Sequence, residues 1–181
     1  MSQDRRFRSL GGKTVYSGAL FDVRVERFAF GDGEQVSRDI VRHGGAVGII
    51  ACDQHDVWLV RQPRESVGDP DLLEIPAGRL DVEGEEPLAA AQRELAEEIG
   101  RSAAHWEHLV TYYSSAGFTD EQVHVYLATG LDEAEAESGE SERIEIVRWP
   151  LERLEDAIAA SADAKTLIGL LMLARRRAAS A

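Results

Sequence analysis

Residues 21–26 alternate apolar and polar side chains, with Phe21, Val23 and Val25 on one side and Asp22, Arg24 and Glu26 on the other, in a stretch that continues to Phe30. A period of two predicts a half-buried strand. A turn at Gly31, Asp32, Gly33 and Glu34 and a return over residues 36–42 complete a β-hairpin. Before it, residues 13–17 predict a short strand and residues 1–12 a loose arm. So small a sheet buries little core of its own, so residues 1–42 are expected to pack on the rest of the chain or on a second subunit. From Gly44 the texture changes: residues 46–51 are continuously apolar and predict a buried central strand. Its partner is predicted at 57–62, followed by a loop over 63–71 that carries Arg64. Further strands are predicted at 72–77, 106–113, 122–129 and 144–149, and helices at 86–99, 151–160 and 163–177. Strands, a helix, strands and then helices predict a mixed α+β layer fold rather than a regular βαβ series.

The helix at 86–99 organises the rest. Pro87 suits a first helical position and Gly100 a left-handed cap. Leu88, Ala91, Leu95 and Ile99 recur at helical spacing and form one apolar face. Glu94, Glu97 and Glu98 lie side by side on another. These acids sit in the last two turns, where the negative helix end disfavours anions. They also repel one another by about 0.2–0.5 kcal/mol per pair. Arg93 pairs with Glu97 one turn on and relieves part of this; a divalent cation relieves more. Magnesium takes oxygen ligands, a few carboxylates plus waters and substrate phosphates. The functional reading is a carboxylate metal site fed by a glycine loop; taken alone, the helix favours the ordinary alternative of a solvated acidic face, and the flanking residues decide between them.

Composition narrows the choice. The 181 residues fit one ordinary domain, or one plus a small extension, and 44% apolar with 29% charged residues is normal for a globular protein. A net charge of −13 gives no general attraction for nucleic acid, and makes metal ions and local arginines more necessary for an anionic substrate. The one cysteine, Cys52, lies in an apolar run and permits no disulfide within the chain, which suits a reducing cytoplasm. The polar, basic start predicts no secretory signal, and the apolar run at 167–174 is far short of a membrane span.

Gly78, Glu85 and then Arg93-Glu94-Leu95-Ala96-Glu97-Glu98-Ile99-Gly100 resemble the Nudix box, whose family hydrolyses nucleoside diphosphates linked to another moiety. Two positions depart from it. The loop over residues 79–84 is one residue longer than usual, which loops absorb cheaply, and the closing apolar position is Arg101. The resemblance implies an α/β/α sandwich around a mixed sheet at 43–181, with 1–42 as an N-terminal β extension. It maps the metal ligands to the Ala77 carbonyl, Glu94 and Glu98, with Glu85 as an outer partner, and places Glu97 and Arg93 in the catalytic set. Magnesium is the implied metal, with manganese as a substitute.

Beyond the box, Val60-Arg61-Gln62-Pro63-Arg64, Leu73-Glu74-Ile75-Pro76-Ala77-Gly78, Gly117-Phe118-Thr119-Asp120-Glu121 and Asp163-Ala164-Lys165-Thr166-Leu167 resemble the ADP-ribose pyrophosphatases. In that subfamily the extension is exchanged between subunits, and the dimer completes the adenine site. The resemblance makes Arg61 and Arg64 candidates for the diphosphate or terminal ribose, a role guanidinium forks suit. It makes Phe118 a candidate wall of the sugar pocket, and adds Gly117 and Glu74 to the substrate set. The acidic segment at 140–146 resembles the subfamily's catalytic loop, with Glu140 as general base and Glu142 as metal ligand, or the two exchanged. Ala116 stands where the subfamily usually has proline, which leaves the sugar or nucleoside open. The expectation is hydrolysis of ADP-ribose or a related nucleoside diphosphate sugar. The rivals are a Nudix hydrolase of GDP-mannose, NADH or diadenosine polyphosphates, and a non-catalytic ADP-ribose sensor, which tends to lose box glutamates.

Overall fold

The computed structural model describes residues 5–135 and 143–180. The chain forms two compact units, residues 1–45 with 113–122, and residues 46–112 with 123–181.

The first unit is a three-stranded antiparallel sheet of β1 (Phe7–Ser17), β2 (Asp22–Phe30) and β3 (Gln35–Arg42), in that spatial order. In the expected loose arm, residues 7–12 are strand. Phe7 pairs with Phe30, and its ring meets Phe28 and Phe30 edge-on at 5.6 and 6.2 Å. Those contacts reward ordering a segment whose own pattern is weak. The register slips between Ser9 and Gly12, where a Cβ would lie 2.3 Å from the Val25 carbonyl oxygen. The segment 113–122 docks on β3: Val41 N donates to the Phe118 carbonyl at 2.8 Å. Arg42 joins the same contact, bonding Asp120 at 2.8 Å and the buried Glu26 at 2.7 Å.

The second unit is a seven-stranded mixed sheet covered on both faces. Its strands are β4 (Ala46–Cys52), β5 (Asp56–Arg64), β6 (Asp69–Glu74), β7 (Ala77–Arg79), β8 (Arg101–Tyr113), β9 (Gln122–Glu133) and β10 (Glu145–Pro150). The main order is β10-β5-β4-β9-β8, with β4 and β9 parallel. Val47, Ile49 and Ala51 of β4 point to the core under α1 (Pro87–Ile99), shared with Val60, Leu95 and Ile99. Ile50 and Cys52 point the other way, to a core closed by α2 (Leu154–Ala160) and α3 (Ala164–Ser180). Burying a side chain such as Leu95 contributes about 1.5–3 kcal/mol. In the first turn of α1, Leu88 is 38% exposed and Ala90 is buried instead. The small residue lets the helix lie close on the sheet.

Two strands part to make room for the site. β4 and β5 pair only at Ala51–Trp58 and Cys52–Val57. Beyond that point β6 takes the edge of β5 and β7 the edge of β4. The stretch expected as one strand at 72–77 is thus two short strands serving different neighbours, and the expected loop at 63–71 is mostly strand. Pro76, with no N–H to give, offers its carbonyl to Ile49 N at 2.8 Å between them.

Candidate active site

The helix α1 starts at Pro87 and ends in Gly100, whose φ of 63° and ψ of 36° put it in the left-handed region; its N–H returns to the Ala96 carbonyl at 2.9 Å. This cap fixes the last two turns, and with them Glu94, Glu97 and Glu98. β7 passes so near the helix that a Cβ on Gly78 would lie 1.9 Å from the carboxyl carbon of Glu94. Glycine is required there by close approach. One residue earlier, Ala77 N donates to Glu98 Oε2 at 3.0 Å. The glycine loop and the helical acids therefore meet, as their order in the box suggests.

Arg93 sits at the centre of the acids. Its Nε and Nη2 donate to Glu85 at 3.1 and 3.0 Å, and its Nη1 to Glu94 at 2.7 Å and Glu97 at 2.9 Å. The long loop does not displace Glu85: a turn with Gly84 at φ 78° and a bond from Glu85 N to the Val82 carbonyl at 3.1 Å bring it back. The bond from Arg93 holds the Glu85 carboxyl below the ordinary range, and Glu85, foremost among its partners, raises the Arg93 guanidinium. Four carboxylates (Glu85, Glu94, Glu97, Glu98) against one guanidinium leave three formal negative charges in one place.

Among the described residues no three His, Cys, Asp or Glu side chains converge as a ready metal cage. The donor set nevertheless fits magnesium. It is all oxygen, carries net negative charge, and lies where glycine keeps the space over Glu94 clear. Magnesium needs only one or two carboxylates beside waters and phosphates, so no closed cage is required. Glu140 and Glu142 lie outside the described residues.

A second polar network lies beside the first. Glu74 is 1% exposed, and Arg64 forks onto it with Nε at 2.6 Å and Nη2 at 2.7 Å. Lys165 Nζ bonds the same carboxylate at 2.5 Å. Burial alone would raise the Glu74 carboxyl, but Arg64 and Lys165 hold it below its ordinary value. Arg64 is raised, by the bond to Glu74 first and also by the charges of Glu98 and Asp163. That puts Arg64 within electrostatic reach of the helical acids. Arg61 lies elsewhere, bonded to the side chain and carbonyl of Asp71 at 3.0 Å each. Gly117 and Phe118 belong to the first unit, where with Phe28, Phe30, Arg38 and Arg42 they line a cavity of about 320 Å³.

Two groupings escaped the sequence. His108 Nε2 and His124 Nδ1 both bond Thr111 Oγ1, at 2.8 and 3.0 Å. The strand period aligns none of them until β8 and β9 are known to be neighbours. Lys165 lies 91 residues from Glu74, and nothing local marks the pair.

Comparison with known proteins shows the family. The NUDIX domain model matches residues 42–169. Over 128 residues the chain is 44% identical to an ADP-ribose pyrophosphatase of Mycobacterium tuberculosis, covering 70% of this chain and 61% of that protein. Over 179 residues it is 35% identical to an ADP-ribose pyrophosphatase of Bacillus subtilis, covering 96% of each. The crystal structure of an ADP compounds hydrolase shares the fold at a TM-score of 0.86, with 21% identity over 99% of this chain and 98% of that one.

Proposed function

The chain belongs to the Nudix family, and from that premise we propose that it is a magnesium-dependent hydrolase of ADP-ribose or a related nucleoside diphosphate sugar, releasing a nucleoside monophosphate and a sugar phosphate. The observation that carries this reading is the set of box glutamates at the end of α1, three of them (Glu85, Glu94 and Glu97) bonded to Arg93 and the fourth, Glu98, to Ala77 N beside Gly78. A non-catalytic sensor has no use for so costly a concentration of charge. The names of the relatives supply the substrate class.

Glu94, Glu98 and the Ala77 carbonyl would hold the metal, with Glu85 outside them. When bound, magnesium neutralises the diphosphate and acidifies a water for attack on phosphorus. Arg93 keeps Glu85, Glu94 and Glu97 oriented and tempers their repulsion. Arg64 offers the diphosphate its outward N–H groups while Glu74 fixes the plane of its guanidinium. Arg61, whose Nη1 is bonded to Asp71, is a second candidate for that role. Glu140 or Glu142 takes the proton from water. The aromatic cavity of the first unit suits the flat face of a base or sugar.

The working form is a homodimer through the N-terminal strands, in the cytoplasm, where the single cysteine stays reduced; sedimentation of the purified protein checks the subunit count. No helix among the described residues is long and apolar enough to cross a membrane. The chemistry is checked by product release from ADP-ribose with magnesium, alongside GDP-mannose, NADH and diadenosine polyphosphates. Glu98→Gln should lower kcat by roughly 10²–10³. No turnover of any of these compounds by the wild type would sink the hydrolase reading in favour of the sensor. Full rates in both Glu140→Gln and Glu142→Gln would remove the base from that segment.

A further inference from the structure

Residues 163–167 resemble the subfamily without any part in the chemistry above. In the structure they open α3 and fasten the site from behind. Asp163 Oδ2 accepts from Thr166 N at 2.9 Å and from Thr166 Oγ1 at 2.7 Å. Thr166 is fully buried, and its hydroxyl oxygen accepts in turn from Ile75 N at 2.9 Å. Lys165, between them in sequence, bonds Glu74 and lies 3.1 Å from Asp163. One turn of α3 thus grips the backbone of Ile75 and the side chain of its predecessor. Two residues further on, Ala77 N donates to Glu98. The helix start, the Arg64 fork and the carboxylate cluster are joined by one short run of chain.

The charges in this network cancel. Arg64 and Lys165 balance Glu74 and Asp163, so burying Glu74 leaves no charge unpaired. The order of pairing matters for a phosphate. With Arg64 as its only partner, Glu74 would both consume the guanidinium charge and repel an arriving anion. With Lys165 also bonding Oε2, the oxygen that Arg64 Nη2 takes, the Glu74 charge is shared between two cations and no longer consumes that of Arg64 alone.

We infer that Lys165, held by Asp163, is a positioning residue that acts through Glu74 to leave the charge of Arg64 available to the substrate diphosphate. This rests on the hydrolase reading above. Arg64 uses Nε and Nη2 on Glu74 and keeps Nη1 and the second Nη2 hydrogen for an anion. Lys165 touches no substrate in this scheme; its effect reaches the phosphate only through the two side chains between.

A double-mutant cycle in steady-state kinetics tests it, with Lys165→Met, Arg64→Ala and the pair, on ADP-ribose or whichever compound of the panel is turned over. Lys165→Met is expected to raise KM roughly tenfold with kcat within about twofold, and to add nothing further in the Arg64→Ala background. Lys165→Arg, which restores a cation, should bring KM back to within about threefold of wild type. Thermal melts establish that each variant folds. If Lys165→Met does not, Lys165→Gln, which keeps a donor for Glu74 without the charge, carries the same expectation. KM increments that multiply across the two backgrounds, or a fall in kcat with KM unchanged, would overturn the inference. Should the wild type turn over none of the panel, the proposed function fails separately. The same cycle is then read as Kd for ADP-ribose by calorimetry, and an unchanged Kd in Lys165→Met overturns the positioning role.

Discussion

A methyl group on Gly78 would occupy the space of the Glu94 carboxylate. The backbone there is locked between β4 and the helix, so the side chain must move. Gly78→Ala is therefore expected to lower kcat by about 10²-fold or more, the scale of losing one preorganised charged group, while leaving stability nearly unchanged. Activity assays beside thermal melts check this; wild-type rates in a folded Gly78→Ala would show that Glu94 is free to rearrange. Arg101, at the usually apolar close of the box, has a different kind of reason. Its guanidinium lies 4.7 Å from the centroid of the Trp58 ring, which Arg148 also approaches, at 5.1 Å. The side chain replaces apolar packing by a cation–π stack, and its buried Nε makes no hydrogen bond. Arg101→Ala should cost about 1 kcal/mol, through lost stacking and stem. Arg101→Met should stay within about 0.5 kcal/mol, because it keeps the stem and removes the unpaired donor. Denaturant unfolding of the two variants distinguishes them, and equal losses would show that the charge itself is what matters.

Elements carry their functional residues only as well as their ends are fixed. α1 presents Glu94, Glu97 and Glu98 in its last turns, and Gly100 holds those turns in place with a positive φ that a Cβ disfavours. Gly100→Ala should cost about 1 kcal/mol and raise the magnesium concentration needed for half-maximal rate, because fraying there loosens Glu97 and Glu98 first. A titration of rate against magnesium, unshifted in a folded Gly100→Ala, would separate the cap from the metal site. This helix was legible in the sequence because proline, glycine, apolar spacing and acids all lie within one local window. β6 and β7 were not. Period two shows an extended chain but not which neighbour it pairs with, and here one apolar stretch serves β5 on one side of Pro76 and β4 on the other. β5 runs through Pro63 because its register slips between Gln62 and Arg64, which spares the missing N–H. Lys165 was legible as part of a motif, while its bond to Glu74 depends on how α3 docks, a fact of tertiary packing.

At the scale of the molecule the excess of acid is distributed unevenly, and the buried part of it sets the response to pH. Among the described residues, each unit holds one enclosed glutamate between two cations. Glu26 lies between Arg42 and Arg24 in the first unit, and Glu74 between Arg64 and Lys165 in the second. The bond from Arg42 lowers the Glu26 carboxyl, and the two cations lower Glu74 against the effect of burial. A carboxyl lowered in the fold binds its proton more weakly there than in the unfolded chain. Its contribution is therefore complete above the unfolded value, near pH 4.5, and is lost as pH falls from there through the folded value. Stability should accordingly hold between neutrality and about pH 5 and fall below that. Glu74→Gln removes one such group. It should be less stable than wild type at pH 7, and the gap should narrow as pH falls, because acid takes from wild type what the substitution has already removed. Unfolding midpoints in urea from pH 7 to pH 3 measure both curves. A gap of constant width would mean that Glu74 contributes by shape and hydrogen bonding alone, and that its charge is irrelevant to the fold.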